Sequence, residues 1–237
     1  MTISTTPVPA RTDDAEAAPA RRFGGSRPLA VLLLTAPVLL SAAVLAHPDD
    51  THGVGATLAA IRGADGLRWA LIHLLEPAGW ALLGLALLLA LPRMAGALGR
   101  GRGLLTTAAV ACAIGFPAVS LIVYGHGEAF RAMAGTDVAA ETYGPLFEQF
   151  ESGMPLAALP SLLGRVGLLL AAAGLLRART VPLWAALLLI LPALAMGALG
   201  GMPLAVGLPM LFGSLLAALV PCALRVARTG GRALGGA

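Results

Sequence analysis

Six stretches of this chain, residues 28–46, 66–91, 104–124, 156–176, 181–199 and 204–224, are almost free of charge. Each runs for about twenty residues, the length an α-helix needs to cross the hydrocarbon of a bilayer. Inside hydrocarbon every backbone polar group must find its partner within the protein, so runs of this kind fold as helices. The composition agrees, with 58% of the 237 residues hydrophobic and 12% charged, where a soluble domain carries about 25% charged residues. The expected fold class is all-α: a polytopic membrane helix bundle of six transmembrane helices, placed in the cell inner (plasma) membrane.

The segments between the spans alternate in charge. Arg21, Arg22 and Arg27 precede the first span, and Arg93, Arg100 and Arg102 separate the second from the third. Arg177 and Arg179 fill the turn after the fourth, and Arg225, Arg228 and Arg232 follow the last. Acid dominates the other side: Asp49, Asp50 and Asp65 after the first span, then Glu128, Asp137, Glu141, Glu148 and Glu151 against Arg131 in residues 125–155. Basic loops stay inside, so both termini are expected in the cytoplasm. Residues 1–27 read as a disordered cytoplasmic tail and 225–237 as a second tail. Residues 125–155 read as an extracytoplasmic loop. Within it Tyr143, Leu146, Phe147 and Phe150 fall at helical spacing, the pattern of a short amphipathic helix on the outer surface. A cleaved signal is the alternative for the first span, with Val44-Leu45-Ala46 as its cleavage site and Arg21-Arg22-Phe23 as a twin-arginine motif. At about 18 residues its apolar run is long for a signal, so a retained helix is expected.

Charge inside a span costs about 2.5–3.5 kcal/mol at mid-bilayer when uncompensated, which makes it the most informative feature that remains. Glu76 and Arg165 lie deep in the second and fourth spans. Each stands about nine residues from the outer end of its helix, or roughly 13–14 Å down at ~1.5 Å per residue. Both helices run inward, so the depths compare directly, and a buried Glu76–Arg165 ion pair is expected. His73 sits one turn above Glu76 on the same face, with Trp69 and Trp80 extending the stripe. Pro77 removes the N–H that would bond the His73 carbonyl. Ser161, one turn outward of Arg165, adds a hydroxyl. Proline recurs inside the spans, as at Pro37, Pro77, Pro117, Pro192 and Pro209, where kinks are expected. Gly164 with Gly167, and Gly197 with Gly201, allow close helix packing.

Three functions suit this polar cluster. The first is structural: a lock fixing helix register in an accessory, non-enzymatic membrane protein. The second is a small transporter or ligand-binding membrane protein that uses the cluster. The third is a metal- or haem-binding redox protein, for which His73 and Glu76 offer two donors. A separate donor set, His47, Asp49, Asp50, His52, His126 and Glu128, lies toward the outer face and suits Zn or Cu. It closes only if the first loop meets the outer end of the third helix. No cofactor is required by any motif: the chain has no Walker loop, HExxH or GxSxG, and no soluble catalytic domain. Cys112 and Cys222 have no metal spacing and read as small apolar fillers. The arginines are scattered over short loops, which excludes nucleic acid as a partner. The lipid bilayer is the expected partner, with a membrane protein or a second copy of the chain as a further one.

The His47-Pro48-Asp49-Asp50 loop leads through residues 57–61 to Leu67-Arg68-Trp69, and the fourth turn reads Leu175-Leu176-Arg177-Ala178-Arg179-Thr180-Val181-Pro182-Leu183-Trp184. In these features the chain resembles a broad class of small, uncharacterised six-helix membrane proteins from GC-rich bacteria. The resemblance implies a topology and transfers no activity or site.

Overall fold

A computed structural model describes residues 27–47, 54–63, 65–95, 99–198 and 204–231. The side chains of residues 140, 146–158, 161, 195–198, 204–210 and 229–231 fall outside that description, and so do Asp49, Asp50 and His52. Of the expected tails 1–27 and 225–237, residues 1–26 and 232–237 lie outside it as well, while residues 225–231 are not a tail but continue the last helix.

Among the described residues the protein is helical and has no strand. Eight α-helices follow in order: α1 (Arg27–Leu45), α2 (Val54–Arg62), α3 (Gly66–Ala90), α4 (Arg102–Ala134), α5 (Gly144–Ala178), α6 (Leu183–Leu188), α7 (Ile190–Ala198) and α8 (Leu204–Gly231). Four stretches are long and apolar enough to cross a membrane: Arg27–Leu45, Gly66–Met94, Arg102–Ala134 and Leu211–Arg228. The chain is therefore a membrane-embedded helical protein.

Helix ends depart from the apolar runs in instructive ways. α4 continues past Tyr124 to Ala134, because the helical hydrogen-bond ladder persists where the hydrophobic side chains stop. The backbone of α5 begins at Gly144, so the stretch with amphipathic spacing is the outer end of this long helix. The fifth apolar run is split into α6 and α7 at Leu189. Pro192 lacks the N–H that would bond the Leu188 carbonyl, which opens the ladder at that point.

The helices pack as a ring. α5 lies on α4, α4 on α3, α3 on α1 and α1 on α8, while α6 and α7 close the circuit between α8 and α5. The middle is filled by aromatic side chains. Trp80 of α3 stacks on Phe116 of α4 and meets Phe212 of α8 edge-on, both at 5.4 Å between ring centroids. Small residues bring the α4 and α5 backbones together. A Cβ on Gly115 would overlap the backbone of Gly164, an approach only glycine permits. Cys112 and Cys222 are both free and buried in this core.

Candidate functional site

The deep polar residues sit on the inward faces of the ring. The Trp80 indole donates to the Glu76 carboxylate at 3.3 Å, an i, i+4 contact that gives the acid one partner inside the apolar core. Arg165 is partly buried on α5 and shares its face with buried Leu168 and Ala172. Phe116 lies between the two levels: it stacks on Trp80, and it is the side chain a Cβ on Gly164 would meet. Phe116 thus joins Trp80 of α3 to Gly164 of α5. One turn inward of the carbonyl freed by Pro77, the Ser120 hydroxyl donates to the Pro77 carbonyl at 2.7 Å and ties α4 to α3. Its position in an apolar span gave no sign of this role.

The more organised cluster lies nearer the N-terminal end of α3, and it joins His73 to residues the sequence kept apart from it. His73 is buried, with 7% of its surface exposed, and its ring stacks on Trp69 at 4.1 Å. His47, at the end of α1, approaches Trp69 at 5.5 Å and His73 at 5.9 Å. His126, on the extension of α4, lies parallel to His73 at 6.4 Å and against Phe130 at 4.9 Å. Imidazoles from the turn after α1, from α3 and from α4 thus meet around the Trp69–His73 stack.

Each arm of the cluster has an identifiable anchor. The Arg68 guanidinium donates to the Ala46 and His47 carbonyls and lies 3.5 Å from Asp65. A cation at a helix C-terminus offsets the dipole and satisfies its last carbonyls, and here that bond fixes where His47 stands. On the other side the Trp69 indole donates to the Gly127 carbonyl at 3.3 Å. Gly127 is the point of closest approach, since a Cβ there would overlap the His73 ring. Leu58 of α2 packs with Trp69 and Phe130 as a small apolar cap. Arg62, at the end of the same helix, donates to the Ala134, Met133, Thr136 and Val138 carbonyls. The segment after α1 therefore reaches the C-terminal end of α4 through Arg62, while Asp49, Asp50 and His52 of the expected donor set lie outside the described residues.

His73 is held in a defined tautomer. Its Nδ1 lies 3.0 Å from the Trp69 carbonyl, which can only accept, so Nδ1 carries the proton and Nε2 keeps its lone pair in the neutral ring. Glu128 is taken up by Arg131 at 2.6 Å, an i, i+3 pair on the surface of α4. Among the described residues no three His, Cys, Asp or Glu side chains stand ready at metal-ligand spacing. The fold and the cluster together define a membrane-embedded helical protein with histidine and tryptophan gathered at one end of the helix ring. Comparison with known protein families, curated proteins and solved structures finds no match to this chain.

Proposed function

We propose that this is a six-span inner-membrane protein with both termini in the cytoplasm, in an accessory, non-enzymatic role in which its outer end binds a ligand. The alternation of basic and acidic segments supports the topology. The 35-residue α5 and the α6–α7 pair supply the two spans beyond the four apolar helices. The observation that carries ligand binding is the approach of His47 and His126 to the stacked pair of Trp69 and His73. Polar side chains that serve only packing have no reason to be drawn from three segments to one place, each with its own anchor. The Glu76–Arg165 pair belongs to the same proposal as the lock that holds the ring in register below the site.

A purely structural role is the second reading. It is favoured by burial, since Trp69 is only 3% exposed and His73 7%. Cysteine labelling separates the two. The native Cys112 and Cys222 are buried, so single cysteines placed at His47, His126 and Glu76 report against a silent background. A ligand site at the outer face gives labelling of His47→Cys and His126→Cys by an impermeant maleimide added outside, with Glu76→Cys protected. Protection of all three would leave only the structural role.

A further inference from the structure

We propose that the arginine-bearing end of the ring holds an anionic phospholipid, its headgroup phosphate clasped where the start of α4 meets the end of α5; this rests on the six-span topology, which sets that end at headgroup level. Arg100-Gly101-Arg102 leads into α4, and Arg177-Ala178-Arg179 closes α5. The two triplets touch through their middle residues. A Cβ on Gly101 would overlap the Gly174 carbonyl of α5 and come within 3.3 Å of the Ala178 nitrogen. Gly101 has a φ of 76°, the left-handed conformation that glycine adopts without steric cost. The contact sets two arginines of one helix end beside two of the other, and all four residues are exposed.

Inside-positive charge accounts for the sign of these residues but not for their gathering. Guanidinium groups set side by side repel one another unless an anion lies between them. The described residues supply none there: Asp65, Glu128, Asp137 and Glu141 stand at the opposite ends of α3, α4 and α5, and Glu76 lies within α3. Arg179 adds a second sign. It caps α5 at a φ of 52°, the one non-glycine residue with positive φ among the described residues. Helices commonly place glycine there, because a Cβ is disfavoured in this conformation. An arginine held that way strains the backbone, and a charged contact of its guanidinium offsets the strain. A phosphodiester carries the negative charge and the paired oxygens that a guanidinium fork grips. Five residues on, Trp184 is 51% exposed, and Leu183 beside it is exposed as well. An exposed indole next to basic residues suits the headgroup level of a bilayer. These apolar neighbours favour a lipid over a free phosphate ion, which has no acyl chain to cover them. Basic pockets between membrane helices on the cytoplasmic side recur as sites for anionic headgroups.

The test uses the full chain, purified in detergent and reconstituted into phosphatidylcholine vesicles. Trp69 and Trp80 are 3% and 5% exposed, so lipids with brominated acyl chains quench chiefly Trp184. Brominated phosphatidylglycerol should quench at a lower mole fraction than brominated phosphatidylcholine. The ratio of their association constants should be at least about fivefold, the factor that one arginine beside an anionic headgroup represents. Arg100→Gln combined with Arg177→Gln should bring that ratio close to parity. Arg225→Gln combined with Arg228→Gln removes the same charge from the same end of the ring, on α8, and should leave most of the preference. These four positions are exposed, so both double variants should keep the wild-type melting profile. Equal quenching of the wild-type protein by the two lipids would overturn the proposal. Equal losses in the two double variants would overturn it too, since they would mean diffuse attraction to the whole rim. A preference that emerges only when Asp13, Asp14 and Glu16 are replaced by their amides would give the arginines to the chain's own acids and overturn the lipid. Failure of the topology is read apart from these outcomes, because Arg177→Cys would then label from the same side as Asp137→Cys whichever lipid binds.

Discussion

At the scale of single residues, Gly127 carries the sharpest consequence. The Trp69 indole bonds its carbonyl, and the His73 ring lies where its side chain would be. Gly127→Ala should therefore displace His73 or part α3 from α4, at a cost of about 1–3 kcal/mol, the usual range for overpacking a filled site. Unfolding titrations of the purified protein would read this loss, and a shifted Trp69 emission would locate it. A fully stable variant with unchanged emission would mean that the two helices are less closely fitted there. Glu76 and Arg165 pose the other question at this scale. Glu76 accepts from the Trp80 indole and Arg165 shares its helix face with buried Leu168 and Ala172; residue counting alone led to the expectation of matched depth. If they pair, Glu76→Gln and Arg165→Gln should each be strongly destabilising and the double variant less than their sum. A coupling of about 0.5–3 kcal/mol is the range seen for residues in contact. Additive losses would remove the pair. The histidine cluster was only half legible. The sequence put His73 with Glu76 and placed His126 in a loop, because the apolar run ends near Tyr124 and nothing in hydropathy says that a helix continues beyond it. Extending α4 to Ala134 is what sets His126 over His73.

At the scale of elements, α2 organises the outer end. It is a nine-residue helix whose Leu58 is buried between Trp69 and Phe130, and whose Arg62 gathers four carbonyls beyond the last turn of α4. Helix C-termini leave carbonyls without intrahelical partners, and a cation there is favourable on both hydrogen-bonding and dipole grounds. Arg62→Ala should loosen this closure by about 1–2 kcal/mol, in line with hydrogen bonds from a charged donor. The effect should be local. Amide exchange over residues 133–138 and over α2 should rise about tenfold, which is the equilibrium factor that 1.4 kcal/mol represents, while exchange in the ring core stays unchanged. A uniform rise across the protein would instead make α2 part of the global core. Sequence reading treated residues 47–65 as a polar loop, since a run as short as Val54–Arg62 has too few turns for a clear helical period. Its tertiary contacts supply what its sequence lacks. The long apolar helices were legible because hydrocarbon length is a strict constraint. The α6–α7 break was less so, because proline inside a span predicts a kink without saying whether neighbours will restore the ladder.

At the scale of the whole molecule, the proposed topology has a geometric consequence independent of any ligand. The ring order places α3, α4 and α5 side by side, with α1 and α8 on the opposite arc. An antiparallel run through α3, α4 and α5 puts the His47 end of α1, the start of α3, the end of α4 and the start of α5 at one rim. The arginine-bearing ends then fall at the other. The anchors found here agree: Arg68 reaches the end of α1, and α2 spans from α3 to α4, all at the histidine rim. Inside-positive charge assigns that rim to the outside. Single cysteines at exposed Asp137, Arg100, Arg177 and Arg228 test the assignment in intact cells against inverted membrane vesicles. Asp137→Cys should label only from outside, and the three arginine replacements only in inverted vesicles. Labelling of Arg177→Cys and Asp137→Cys from the same side would require α5 not to cross, leaving too few spans to close the ring through a bilayer. Labelling of all four on reversed sides would preserve the ring and turn the histidine rim to the cytoplasm.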